Sequence, residues 1–231
     1  MKEFFKKQGV VPSWKTYFVT AMGAMAQGLF CTLLVGTILN TIGQQFHIGF
    51  LTKTLVTIKQ GAQTIDCTLG GLVSLTVGAG ISVAIGVSLK APPLVLFSLI
   101  PVGFAANALG GAGGPLAVYF VAIIACECGK LVSKTTKIDI LVTPIVTVLV
   151  GIGLSYLIAA PIGTAASAVG EAVKWATTQQ PFLMGILVSV IIGVALTLPI
   201  SSAAICAALG LTGLAGGAAV AGCCAQMVGF A

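Results

Sequence analysis

Arginine is missing from this chain, and histidine occurs once, as His47. All eleven basic residues are lysines, set against five acidic ones. Charged residues make up only 7% of the 231 positions, whereas a soluble domain carries about 25%. So few charges cannot cover a water-facing surface, so the surrounding medium is lipid. Without arginine no bidentate phosphate clamp can be built. The formal charge of +6 sits on lysines at the ends of apolar runs, where it marks topology, and nucleic acid is excluded as a partner. The single histidine has no nucleophile or carboxylate arranged with it. Seven cysteines (31, 67, 126, 128, 206, 223 and 224) lack further ligands at zinc spacing. Cys126-Glu-Cys128 and Cys223-Cys224 read as small buried hydrophobes. No catalytic centre, cofactor or metal is expected, and the chain is not read as an enzyme.

What the sequence has is apolar length. It is 58% hydrophobic with a mean hydropathy of +1.13. No charge occurs between Lys15 and Lys53, Asp66 and Lys90, Lys90 and Glu127, or Asp139 and Glu171. A spanning helix needs roughly 20 apolar residues, and lipid cannot satisfy open backbone groups, so the spans are helical. The expected fold is all-α: a polytopic transmembrane helical protein with amphipathic interfacial helices and re-entrant segments. Spans are predicted at 17–40, 68–89, 115–128, 139–160 and 181–198. Amphipathic helices are predicted at 48–65, where Leu51, Leu55, Ile58, Ala62 and Ile65 share one face, and at 162–178. Segment 93–108 either crosses or re-enters. Residues 200–231 form a re-entrant hairpin or two packed helices. The first run is too long for a cleaved signal.

Lysines before the first span place the N-terminus in the cytoplasm of a bacterial-type inner membrane. If 93–108 crosses, Lys2, Lys6, Lys7, Lys15, Lys90, Lys130, Lys134 and Lys137 fall inside and only Lys53, Lys59 and Lys174 outside. The last residues, Val228-Gly-Phe-Ala231, lack a polar terminus, which is the pattern expected if further membrane segments follow.

Ser82-Val-Ala-Ile-Gly-Val-Ser-Leu-Lys-Ala-Pro92 matches Ser189-Val-Ile-Ile-Gly-Val-Ala-Leu-Thr-Leu-Pro199 at seven of eleven positions, at an offset of 107 residues. Cys31-Thr-Leu-Leu-Val-Gly-Thr-Ile-Leu39 matches Val146-Thr-Val-Leu-Val-Gly-Ile-Gly-Leu154 at five of nine, at an offset of 115. The two echoes are collinear. They point to one membrane domain over 1–231 built from repeats 16–110 and 138–231, a recurrent transporter design.

No ionisable group lies deep in a predicted span; Asp66, Glu127, Asp139 and Glu171 read as interfacial. A solute recognised inside such a membrane domain is therefore small, neutral and polar, bound by hydroxyls, amides and freed backbone groups. Those groups arise where proline and glycine interrupt apolar runs beside polar side chains. The candidate substrate-binding residues are Asn107, Gly110 and Pro115, Thr143 beside Pro144, and Pro199, Ser201 and Ser202. The Gly110–Gly114 run has no Gly-Lys-Ser/Thr ending and is not a phosphate loop.

Asp139-Ile-Leu-Val-Thr-Pro144-Ile-Val-Thr-Val-Leu-Val-Gly151 followed by Leu157-Ile-Ala-Ala-Pro161 resembles a segment of the membrane subunits (EIIC) of the bacterial phosphotransferase system. Leu198-Pro-Ile-Ser-Ser-Ala-Ala204 is similar to the Gly-Pro-Val-Asn-Lys-Ala-Ala signature of fructose-type members, with Ser201 and Ser202 replacing Asn and Lys. The branch it resembles includes proteins named as toxin regulators. The resemblance implies a homodimeric sugar or polyol permease that hands its solute to cytoplasmic phosphoryl-carrier subunits, with Pro199, Ser201, Ser202, Ala203 and Ala204 lining the substrate loop. The alternative is a membrane sensor that keeps the fold without transport.

Overall fold

The computed structural model describes residues 8, 10, 13–60, 63–135, 138–195 and 213–230. The first span is α1, Lys15–Gln45, 31 residues long and containing two π-helical stretches. At about 1.5 Å per residue it is longer than a hydrocarbon core of about 30 Å requires. It is followed by a four-residue helix, α2 (Gly49–Thr52), and by two antiparallel strands, β1 (Val56–Gln60) and β2 (Gln63–Cys67), paired from Val56↔Cys67 to Gln60↔Gln63.

This corrects the amphipathic helix predicted over 48–65. The same apolar positions that share a helical face belong to a stretch dense in β-branched residues (Val56, Thr57, Ile58, Thr64, Ile65), whose stiff side chains favour a pleated surface. Thr57 closes the hairpin through a 2.8 Å hydrogen bond to the Asp66 carboxylate.

The second span is broken. Helix α3 (Leu69–Leu75) and helix α4 (Val77–Ser88) meet at Thr76 with a 50° bend. Thr68 caps α3, accepting from the Gly71 N–H and donating to Asn40 on α1. Next come α5 (Pro93–Gly110) and α6 (Gly114–Val132), joined by a 3-10 turn at Gly111–Gly113. With 18 residues α5 is about 27 Å long and apolar enough to cross. Ser82 donates to the Leu99 carbonyl and Gly78 lies against Gly103 and Asn107, so α4 and α5 are antiparallel. Asn107 meets Gly114 and Gly110 meets Ala117, so α5 and α6 are antiparallel too, leaving α4 and α6 parallel.

Helix α7, Asp139–Thr177, has 39 residues. The separate amphipathic helix predicted at 162–178 is instead its continuation. Pro161 removes one backbone donor, not the helix, and the turn around it is held by Thr164 donating to the Pro161 carbonyl. Thr143, Thr147, Gly151, Ser155 and Ala159, spaced four apart, are all buried and bring α7 close against α5 and α6. Thr147 and Ser155 spend their hydroxyls on carbonyls one turn back, at 2.8 Å each.

The last described helices are α8 (Pro181–Ala195) and α9 (Gly213–Phe230). Ser189 donates to the Ala218 carbonyl at 2.7 Å, Ser189 lies against Gly222, and Gly193 also faces Gly222. Residue numbers rise together along both helices, so α8 and α9 run parallel.

Two buried clusters hold the bundle. One gathers Ala21 and Met25 of α1 with Val77, Ile81 and Ile85 of α4 and the inner faces of α5 and α6. The other gathers Val173 and Ala176 of α7 with Met184, Val188 and Ile192 of α8 and Ala219 of α9. Leu116 touches both. Large apolar side chains such as Phe97, Leu149, Leu157 and Phe182 face outward, as lipid contact requires. The chain is an all-α, multi-pass membrane protein carrying one small hairpin.

Candidate substrate site

The α5–α6 turn brings three of the sequence candidates together. Asn107 is half-buried on the last turn of α5, and its carboxamide makes no hydrogen bond among the described residues. A Cβ on Gly114 would collide with the Asn107 side-chain oxygen and lie 2.8 Å from its carbonyl. Gly111 takes φ +51°, the left-handed turn that lets the chain reverse. Gly110 and Pro115 are buried, Pro115 in the first turn of α6, where its missing N–H costs nothing. The turn is seated on α7: a Cβ on Gly113 would stand 2.8 Å from the Ile162 carbonyl, and one on Gly163 3.1 Å from that of Gly110.

Thr143 is elsewhere. It is fully buried, and its hydroxyl donates to Asp139, which also accepts the Lys134 N–H at 2.8 Å. Twenty residues of helix separate it from Gly163, a rise of about 30 Å. Its polar group serves the start of α7 and is not brought to the α5–α6 turn. Pro199, Ser201 and Ser202, with Ala203 and Ala204, lie outside the described residues.

The remaining interruptions differ in what they expose. At Lys90–Pro93 the backbone satisfies itself: Lys90 N–H reaches Val87, Ala91 N–H reaches Gly86, and Leu96 N–H reaches Pro92, at 2.9 to 3.0 Å. That turn is a closed packing joint. A hollow of about 310 Å³ beside Pro144 is lined by Ile145, Val148 and Leu149, with no polar surface. Two mostly apolar grooves with a few polar groups run between α8 and α9. One, of about 540 Å³, has Ser189 and Gln226 among its walls. The next, of about 740 Å³, runs from Ser189 toward Pro181 and Gly213. Both fall within the range of about 300–1,000 Å³ usual for small-molecule sites. Among the described residues, neither is lined by an ionisable group.

One polar cluster escaped the sequence reading. Lys130 is only 3% exposed, and its Nζ sits 3.3 Å from Glu127 Oε1. Tyr17 lies close enough to influence the same carboxylate, and Tyr119 donates to the Tyr17 carbonyl at 2.8 Å. Position at the end of an apolar run made Glu127 look interfacial. The usable signal was its spacing of three from Lys130, which puts both on one helix face.

Against known proteins, the family described as phosphotransferase system EIIC matches residues 19–231. No curated protein and no solved structure matches the chain. A long apolar helical bundle whose grooves carry neutral polar groups is thus accompanied by a family match over almost its whole length: the chain belongs to the EIIC family, the multi-pass membrane components of the sugar-transporting phosphotransferase system.

Proposed function

We propose that the chain is the permease for a small neutral polyhydroxy solute, a sugar or polyol, which cytoplasmic phosphoryl-carrier subunits then modify. The observation that carries this reading is the EIIC family match over residues 19–231; the hydroxyl, carboxamide and backbone groups at the α5–α6 turn and between α8 and α9, with no ionisable group among the described lining residues, suit exchange of hydrogen bonds with a sugar's hydroxyls. The recognition residues of this proposal are Asn107, Gly110 and Pro115 at the α5–α6 turn and Pro199, Ser201 and Ser202 of the signature-like segment. The permease itself makes and breaks no covalent bond. It works as a homodimer in a bacterial inner membrane with its N-terminus in the cytoplasm.

Purified chain in liposomes is expected to bind or take up a hexose or hexitol, and Ser201→Ala with Ser202→Ala to weaken that binding about thirtyfold, as loss of two hydrogen bonds of roughly 1 kcal/mol each implies. Unchanged binding in the double variant would remove these serines from the site. A second reading, a sensor that keeps the fold without turnover, is motivated by the replacement of the signature's Asn-Lys pair by Ser201-Ser202. Deleting the gene separates the two. Altered transcription with intact uptake of every hexose and hexitol tried favours the sensor.

A further inference from the structure

We propose that the described residues between 35 and 75 form a rigid arm that pivots on the rest of the bundle. Its joint is shared by two breaks, one in α1 and one between α3 and α4, and is coupled to Asn107. That Asn107 meets solute is part of the permease reading; the pivot and its coupling to this residue stand without it.

The two breaks lie at one level. Helix α1 leaves α-helical geometry at Phe30–Leu34, a π-helical stretch with no buried residue, and such stretches are where helices kink. Within it Thr32 spends its hydroxyl on the Gly28 carbonyl at 2.7 Å, a back-bond that favours bending. The second span bends by 50° at Thr76. Thr76 is exposed, and both its N–H and its hydroxyl turn back to the Val73 carbonyl, at 3.2 and 2.8 Å. Close approaches fix the register between these elements. Gly28 lies against Gly80, and Gly36 against Gly70 and Ser74. In an antiparallel pair those contacts put Thr32 level with Thr76. A broken helix beside a continuous one would be splinted by its neighbour. Two helices broken at the same height have no splint.

On the far side of that plane the chain is stitched to itself. Thr68 donates to Asn40 at 2.8 Å. A Cβ on Gly70 would overlap the Gly36 carbonyl, and one on Gly43 would stand 2.8 Å from Leu51. The Leu55 N–H reaches the Cys67 carbonyl at 3.0 Å, and Thr57 bonds Asp66 across the hairpin. The outer half of α1, α2, the hairpin and α3 thus hold one another as a single body. The bundle is held separately. Its buried cluster takes Leu29 and Leu33 from α1 and resumes with Val77 of α4, and among the described residues none from 34 to 76 belongs to either cluster. Helix α3 packs on α1 rather than on α5, α6 or α7. A unit that shares two chain crossings but no buried core with its neighbour moves as a hinged body.

The joint meets the candidate site through the first turn of α4. Gly78, two residues past Thr76, has no slack: a Cβ there would overlap the Gly103 carbonyl and lie 2.6 Å from the Asn107 Cβ. A change of dihedral angle at Thr76 that tips this turn is therefore felt at Asn107, and a displacement at Asn107 is felt at the joint.

The test uses the full chain in lipid nanodiscs, with its seven cysteines replaced and pairs of spin labels at exposed positions. Thr54, Ile38, Phe97 and Phe120 are all exposed. Thr54→Cys with Phe120→Cys, from arm to bundle, is expected to give a broad or two-peaked distance distribution. Ile38→Cys with Thr54→Cys, inside the arm, and Phe97→Cys with Phe120→Cys, inside the bundle, are each expected to give one narrow peak. Asn107→Phe, whose ring has to displace the first turn of α4 or α6, is expected to shift the arm-to-bundle populations and leave both internal distances in place. An arm-to-bundle peak as narrow as the internal ones would make the arm a fixed part of the bundle, whatever covers it, and overturn the proposal. A broad peak inside the arm would overturn its rigidity, and populations indifferent to Asn107→Phe would overturn the coupling. Amide hydrogen exchange on the unsubstituted chain checks the joint itself: residues 30–34 and 74–78 are expected to exchange faster than 36–43 and 79–86, and equal protection throughout would overturn a hinge there. No solute enters either measurement, so a fixed arm and a failed permease reading are told apart.

Discussion

Gly78 has no space for a side chain, because a Cβ there would overlap the Gly103 carbonyl and crowd Asn107 at 2.6 Å. Overpacking costs about 1–3 kcal/mol where side chains can yield, and here the obstacle is backbone. Gly78→Leu is accordingly expected to lower the thermal unfolding midpoint in detergent, by the equivalent of at least about 2 kcal/mol, while Gly153→Leu, with nothing within 4 Å, leaves it unchanged. The Glu127–Lys130 pair makes a second claim at this scale. Removing one partner of a buried pair strands the other charge at a cost of about 3–5 kcal/mol, whereas replacing both is far milder. Lys130→Met is expected to destabilise strongly and Glu127→Gln with Lys130→Met to recover most of the loss, measured by unfolding of the purified variants. The pair's existence was legible in its spacing; its burial was not, because that depends on Tyr17 of α1 closing over it, a contact more than a hundred residues long.

Elements were easier to read where one rule governed them. The apolar runs placed α1 and α6 to within a few residues, since burial of twenty apolar side chains outweighs any local preference, and located the helix of α5 at 93–108 while leaving its crossing or re-entry open. Reading failed where two periodicities competed: 48–65 fits a helical face, yet its β-branched residues and the chance to close a hairpin prevailed. It failed also at Pro161, where a proline was taken as a boundary although a long helix survives the loss of one hydrogen bond. Helix α5 is long and apolar enough to cross, and a crossing there would fix the sidedness of what flanks it. Thr54→Cys, beside the hairpin, and Thr135→Cys, after α6, are both exposed positions. In an otherwise cysteine-free chain, an impermeant maleimide added to intact cells is expected to label the first and not the second. The reverse pattern would invert the whole topology, and labelling of both from outside would make α5 a re-entrant segment.

At the scale of the molecule, two clusters of buried side chains are strung on one helix. Gly151 of α7 packs on Val102 in the first half, while Val173 and Ala176 of the same helix anchor the second. Among the described residues, only Leu116 belongs to both neighbourhoods. A structure joined in this way opens in parts, because each cluster can lose its packing without exposing most of the other. Deleting a buried isoleucine to alanine costs about 2–5 kcal/mol, and Ile85 and Ile192 are fully buried, one in each cluster. Ile192→Ala is expected to raise amide hydrogen exchange across α8, α9 and the last turns of α7 while α4–α6 keep their protection, and Ile85→Ala to do the opposite. Uniform loss of protection from either substitution would show a single cooperative unit, in which case α7 transmits packing from one half to the other instead of merely connecting them.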